Sequence, residues 1–298
     1  MKITRIESFR HKLGEGPVWD VVEQALYGTD VLGRKFWRYD PVRGDYDAWT
    51  TGDTVSSIAL CETGGALLAL SSGLYMFDFS SGKQTLISNA GAEKPELILN
   101  DGKVDRAGRF VYGNVHTSGR MGEAALYSIA SDFNVNMLDN DFIVTNGPCW
   151  SPDGNIFYFS DSVRKNIYAY DYDMTSGAVA GRRIFVDTGK FAGIPDGATV
   201  DADGYLWTAI CGGSEIVRFK PDGTVDLVIG LPTPAVSSVM FGGADLDRLF
   251  VTSINSEAAA AEIPLAANSW VKSDENSGAL FVIDGLGIRG MPECRFKR

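Results

Sequence analysis

The chain has 298 residues, 45% of them hydrophobic and 22% charged, which suits a globular protein with a substantial core. Its net charge of −11 argues against a nucleic-acid partner, because phosphate contacts need clustered Lys and Arg, and the basic tail Arg295-Phe296-Lys297-Arg298 is the one concentration of them. No stretch approaches 18 apolar residues and the first residues carry no apolar leader core, so the expectation is a cytoplasmic protein with no membrane partner.

Residues 2–9 at the N-terminus read as one short strand, too short to be a repeat unit. From Glu15 onward a pattern recurs: a polar residue, a short strand, a glycine turn, a second strand, and later a third strand rich in aromatics. Ser57, Asn100, Asn146 and Asp196 each precede a turn glycine by eight residues (Gly65, Gly108, Gly154 and Gly204). The turns DRAG, SPDG and DADG are hairpin chemistry, since Asp and Gly accept the positive φ that tight turns demand. The third strand recurs six times, in KFWRYDP, LYMFDFSSG, ALYSIASD, NIYAYDYDMTSG, EIVRFKPDG and ALFVIDG. Units opening near Glu15, Ser57, Asn100, Asn146, Asp196 and Ser238 are spaced as four-stranded propeller blades are.

The expected fold is therefore all-β, a single six-bladed β-propeller over residues 1–298, with the N-terminal strand closing the last blade. Only 256–267, with its SEAAAAEI run, reads as helical, an insertion in the last blade. The stripe Tyr168, Tyr170 and Tyr172 reads as packing between blades.

The same register puts six polar residues at the start of the innermost strands, where they ring one mouth of the central channel. Two are acids and two are amides, oxygen donors suited to a hard divalent cation. Calcium comes first; zinc, manganese, magnesium and iron(II) are the other candidates. The competing role for such a cation is structural, a staple across the channel.

Other motifs carry less. GLGIRG at 285–290 matches a dinucleotide fingerprint but leaves no room for the helix and strand it needs, so it reads as a strand-end turn. DADG reads as a hairpin rather than a calcium loop, and neither a GxSxG elbow nor an HExxH pair is present. The four cysteines form no CxxC pair and are expected as free thiols. His11 is expected at the surface, and His116 in a loop beyond the second strand of the third blade, over the channel mouth.

The strings LGEGPVWD (13–20), NDGKVDRAGR (100–109), TNGPCWSPDG (145–154), PDGATVDADGYLW (195–207) and SGALFVIDGLGIRGMPE (277–293) together resemble the gluconolactonase, senescence-marker-protein (regucalcin) and luciferin-regenerating-enzyme family. The resemblance implies a six-bladed propeller that opens sugar lactones with one divalent metal. It puts the metal ligands on Glu15, Asn146 and Asp196, with Asp196 also the expected general base, and a substrate-side asparagine on Asn100. Two places depart from the family. Ile98 stands where many members carry an arginine two residues before that asparagine, and the acidic residue some hold over the substrate has no clear counterpart near His116 and Ser118. Three functions follow: a sugar lactonase, a broader metal-dependent esterase or phosphotriesterase, and a non-catalytic calcium-binding propeller, in that order. A closed propeller has no obligatory partner surface, so no oligomeric state follows from the sequence.

Overall fold

A computed structural model describes residues 1–262 and 273–298. After the first strand β1 (Lys2–Ile6), the chain lays down five blades in succession, each a four-stranded antiparallel sheet. Blade one is β2 (Gly14–Asp20), β3 (Ala25–Asp30), β4 (Lys35–Tyr39) and β5 (Tyr46–Thr50); blade two is β6 (Val55–Leu60), β7 (Ala66–Leu70), β8 (Gly73–Phe77) and β9 (Gln84–Ser88). Blade three is β10 (Leu97–Val104), β11 (Phe110–His116), β12 (Ala124–Ile129) and β13 (Val135–Phe142). Blade four is β14 (Thr145–Trp150), β15 (Ile156–Asp161), β16 (Asn166–Tyr172) and β17 (Val179–Asp187); blade five is β18 (Ile194–Val200), β19 (Leu206–Cys211), β20 (Glu215–Phe219) and β21 (Val225–Gly230).

Blade six takes β22 (Val236–Gly242), β23 (Arg248–Ser253) and, after the helix α1 (Ser256–Glu262), β24 (Leu280–Asp284). Its fourth strand is β1, paired antiparallel with β24 from Lys2↔Asp284 to Ile6↔Leu280. One sheet thus joins both ends of the ring, and no blade is left with an unpaired partner at the closure. All six aromatic-rich third strands and the closing strand stand where the sequence pattern puts them. The expected helix is present from Ser256 to Glu262; the rest of that expectation, 263–267, lies outside the described residues.

The core is distributed around the ring. Six apolar clusters each fill the wedge between two neighbouring blades. Trp19 of blade one stacks on Phe250 of blade six at 5.7 Å, Phe36 meets Phe77 of blade two edge-on, and Trp207 of blade five meets Phe241 edge-on. Each such side chain contributes about 1.5–3 kcal/mol when fully buried. Tyr168, Tyr170 and Tyr172 are buried in the wedge between blades three and four, as packing residues. The turn glycines Gly65, Gly108, Gly154 and Gly204 all hold positive φ.

His11 is a correction. It is only 3% exposed, stacked on Trp37 at 5.3 Å, and neither ring nitrogen has a hydrogen-bond partner. A residue that sequence places after a charged strand is pulled inward because Phe9 and Trp37 build an aromatic socket for it.

Candidate active site

Every innermost strand carries a register shift near its start. In blade one Glu15 opposes Thr29 while Val18 opposes Tyr27, so Gly16 and Pro17 face a single residue; blade four repeats this with Asn146↔Ser160 and Cys149↔Tyr158. In blade three the shift lies between Leu99 and Gly102, and in blade five between Pro195 and Ala198. Blades two and six shift at Ser56 and Ser237. Such bulges twist a strand and re-aim its side chains, which is what a strand crowded round a common axis needs.

The bulges refine the sequence register. The six polar residues do not share one position: Glu15 and Asn146 immediately precede their bulges, Asn100 and Asp196 open theirs, and Ser57 and Ser238 follow the extra serine of theirs. Hairpins of different length absorb the offset, so a fixed count to the turn glycine could not detect it. Gly16 and Gly147 hold φ of +49° and +62°, and a side chain at Gly147 would place Cβ 2.8 Å from the Asp196 carbonyl. The shared Gly-Pro after Glu15 and Asn146 is thus the local chemistry of the bulge.

Hydrogen bonds tie these bulges into a belt. Thr29 donates to the Ser56 carbonyl, Ser56 and Ser57 donate to the Asn100 carbonyl, and Ser237 donates to the Gly14 carbonyl. Asn100 Nδ2 donates to the Thr145 carbonyl at 2.7 Å and to Asn146 Oδ1 at 2.9 Å. Asn146 Nδ2 in turn donates to Ser162 Oγ, which fixes the amide with its oxygen toward Asn100. Asp101, a residue the sequence reasoning passed over, accepts from the Gly147 amide at 2.8 Å.

Electrostatics define the site. Burial, followed by the charges of Asp196 and Asp101, pushes the Glu15 carboxyl well above the usual carboxylate range. Burial and then Asp101 do the same to Asp196, and burial raises Asp101 itself against the opposing pull of Lys103. Asp196 is 6% exposed, whereas Glu15 is half-buried and keeps a path to solvent although protein walls its carboxyl deeply. Among the described residues none of the three carboxylates forms an ion pair with a basic side chain. Three repelling carboxylates in a low-dielectric pocket leave negative charge that a cation would relieve.

The donor chemistry fits a divalent ion held by oxygen. Among the described residues no three His, Cys, Asp or Glu side chains group as a metal site by themselves, and the Asn146 amide is the added oxygen donor that the same end of the inner strands offers. The Cys211 thiol lies against Asp196, buried and pushed far up in pKa, and is there a weak hydrogen-bond donor rather than a thiolate ligand.

Alternation along β10 puts half-buried Ile98 on the face of Asn100, between buried Leu97 and Leu99. His116 is not in a loop: it ends β11 opposite Leu97, 7% exposed, and its Nδ1 accepts from the Ser118 amide and meets Ser118 Oγ. That acceptor role leaves the proton on Nε2. None of its hydrogen bonds reaches Glu15, Asn100, Asn146 or Asp196. All four cysteines are free.

The fold is a six-bladed propeller, and its inner strands carry the buried carboxyls of Glu15, Asp101 and Asp196. Residues 13–255 match the family described as SMP-30/Gluconolactonase/LRE-like region, and the chain belongs to that family. Regucalcin of Gallus gallus is 32% identical over 99% of this chain and 98% of its own length, and Pentonolactonase XacC of Haloferax volcanii is 31% identical over 99% and 98%. Among solved structures, a calcium-binding protein, regucalcin, from Agrobacterium tumefaciens superimposes with a TM-score of 0.88 at 25% identity, covering 99% of this chain and 97% of that one. The family supports hydrolysis of lactones as a general activity. No described helix is long and apolar enough to cross a membrane.

Proposed function

We propose that the protein is a metal-dependent hydrolase that opens a sugar lactone to the corresponding sugar acid. The observation carrying this is the set of buried carboxyls of Glu15, Asp101 and Asp196, which repel one another and form no ion pair among the described residues, with the Asn146 amide fixed by Ser162. Glu15, Asn146 and Asp196 would hold one divalent ion, calcium first in view of the all-oxygen donors. When bound, the ion supplies Lewis acidity to the lactone carbonyl and lowers the pKa of nearby water.

The chain's own residues do the rest. Asp196 would accept the proton of the attacking water. Asn100, whose two amide hydrogens are held by Thr145 and Asn146, would present its remaining Oδ1 to a substrate hydroxyl, which donates to it. His116 offers Nε2–H from the rim, and Ile98 gives that side of the mouth an apolar surface, which favours a lactone with few hydroxyls there. The partner is therefore a small molecule, and the free thiols agree with a reducing, cytoplasmic setting.

The test is Asp196→Ala over a panel of aldonolactones, aryl esters and phosphotriesters, followed with a pH indicator. Loss of lactone opening in the variant, with lactones preferred by the wild type, is the expected result. Wild-type rates in the variant would remove Asp196 from the mechanism. A preference for esters or phosphotriesters would replace the substrate class.

A further inference from the structure

The opposite end of the channel is crossed by the chain itself. Gly290 bridges to Asp201, just past β18 of blade five, and Phe296 bridges to Cys61, just past β6 of blade two. In a six-bladed ring blades five and two face each other, and both bridges lie at the ends of inner strands remote from Glu15, Asn146 and Asp196. Residues 290–296, about 20 Å when extended, thus span the far mouth from side to side. The crossing is anchored at each step. The Ala202 amide donates to the Arg289 carbonyl, Arg106 donates to the Pro292 carbonyl at 2.9 Å, the Glu62 amide donates to the Phe296 carbonyl, and the Phe296 ring is fully buried among blades two and three.

Glu293 is the midpoint of this crossing, and its side chain is only 8% exposed. It lies 3.7 Å from the ammonium of Lys103, itself 9% exposed, and 3.9 Å from Arg106. Lys103 reaches across the channel from blade three and donates at 2.9 Å to the Ala198 carbonyl of blade five, two residues beyond Asp196. Its other electrostatic neighbour is Asp101, with which it forms no ion pair. The ammonium is therefore balanced between a carboxylate on the site side and one on the strap.

We propose that residues 290–296 are a strap that shapes the site from beneath, with Glu293 a positioning residue that holds Lys103 on Ala198 and away from Asp101. Without the Glu293 charge, Asp101 is left to draw Lys103 unopposed by the strap. The ammonium then moves toward the site, releases the Asp196-bearing bulge and offsets the negative charge that attracts a cation. The cation part of this rests on the proposed metal-dependent function; the clamp on the bulge does not.

Two measurements test it on the full-length protein. The first is calorimetric titration with calcium chloride of wild type, Glu293→Gln, Lys103→Met and the double variant. Glu293→Gln is expected to weaken calcium binding about tenfold and to have no further effect in the Lys103→Met background, because it acts through Lys103. Equal effects in both backgrounds, or none in the wild type, would overturn the coupling. The second is hydrogen exchange in calcium-free protein, where Glu293→Gln is expected to speed exchange of the Gly197 and Ala198 amides while distant blades are unchanged. Unchanged exchange there would overturn the clamp. If the wild type binds no calcium, the metal-dependent function fails, and the exchange measurement still decides the strap. Should Glu293→Gln not fold, Lys103→Met, which removes the donor to the Ala198 carbonyl, undergoes the exchange measurement alone: faster exchange at Gly197 and Ala198 supports the clamp, and unchanged exchange there overturns it.

Discussion

Replacing His11 with Phe is expected to make the protein more resistant to acid, and the size of the effect follows from where the ring sits. Burial first, and repulsion from Lys35 second, lower the imidazole pKa from 6.5 to about 3. The neutral ring suits its socket of Phe9 and Trp37, and neither nitrogen has a partner that protonation would strengthen. The unfolded chain therefore binds the proton more readily than the folded one between those two values. The stability His11 contributes is whole above pH 6.5, falls as pH drops below it, and is lost by about pH 3. Linkage gives a loss of about 2 kcal/mol at pH 5, growing to about 4 kcal/mol near pH 3. The carboxyls of Glu15, Asp101, Asp196, Asp30 and Asp161, raised by burial, act in the opposite sense, so the wild type's own pH profile mixes both effects. The difference between wild type and His11→Phe isolates the histidine. Urea unfolding at pH 7.5 and pH 5, followed by tryptophan fluorescence, should show that difference moving by about 2 kcal/mol in the variant's favour. Parallel pH dependence of the two proteins would mean that the ring is protonated in the folded state.

Two more substitutions probe the channel mouth. Asn100→Ala removes the donor that spans to Thr145 and Asn146, and should lower kcat/KM for lactones about a hundredfold while calorimetry still detects calcium binding, since Ser162 continues to orient Asn146. Gly147→Ala forces a Cβ to within 2.8 Å of the Asp196 carbonyl and 2.9 Å of the Ala198 methyl at φ +62°, and should cost about 1–3 kcal/mol in urea unfolding together with weaker calcium binding.

The blades were legible in the sequence because each is a short, repeated statement of local chemistry. Asp-Gly turns set the hairpins at 105–108, 151–154 and 201–204, aromatics mark the third strands, and the edge at the closure had one candidate strand to cover it. The sequence register was a partial guide: Asn100, Asn146 and Asp196 stand eight residues before a turn glycine and Glu15 shares a following Gly-Pro with Asn146, yet the bulges set the four at different strand positions. What escaped depends on contacts between distant segments. Asp101 follows Asn100 directly and would point away in a regular strand; the bulge between Leu99 and Gly102 brings both residues into the belt. The Gly-Pro after Glu15 and Asn146 is the local sequence signal of such a bulge, and Asn100-Asp101 carries no counterpart of it. The burial of His11 needed the socket formed by Phe9 and Trp37, and the placement of His116 needed the length of β11. The far-mouth crossing joins 290–296 to blades two, three and five, partners that no local pattern in a tail of mixed composition announces.

The central claim is that Glu15, Asn146 and Asp196 hold a divalent ion on which lactone opening depends. The most direct measurement is the initial rate of lactone hydrolysis by the wild type before chelation, after chelation and dialysis, and after calcium or another divalent ion is restored, with Asp196→Ala carried through the same steps. The account predicts activity that disappears with the chelator and returns with the ion in the wild type alone. Hydrolysis that continues unchanged through chelation would contradict it.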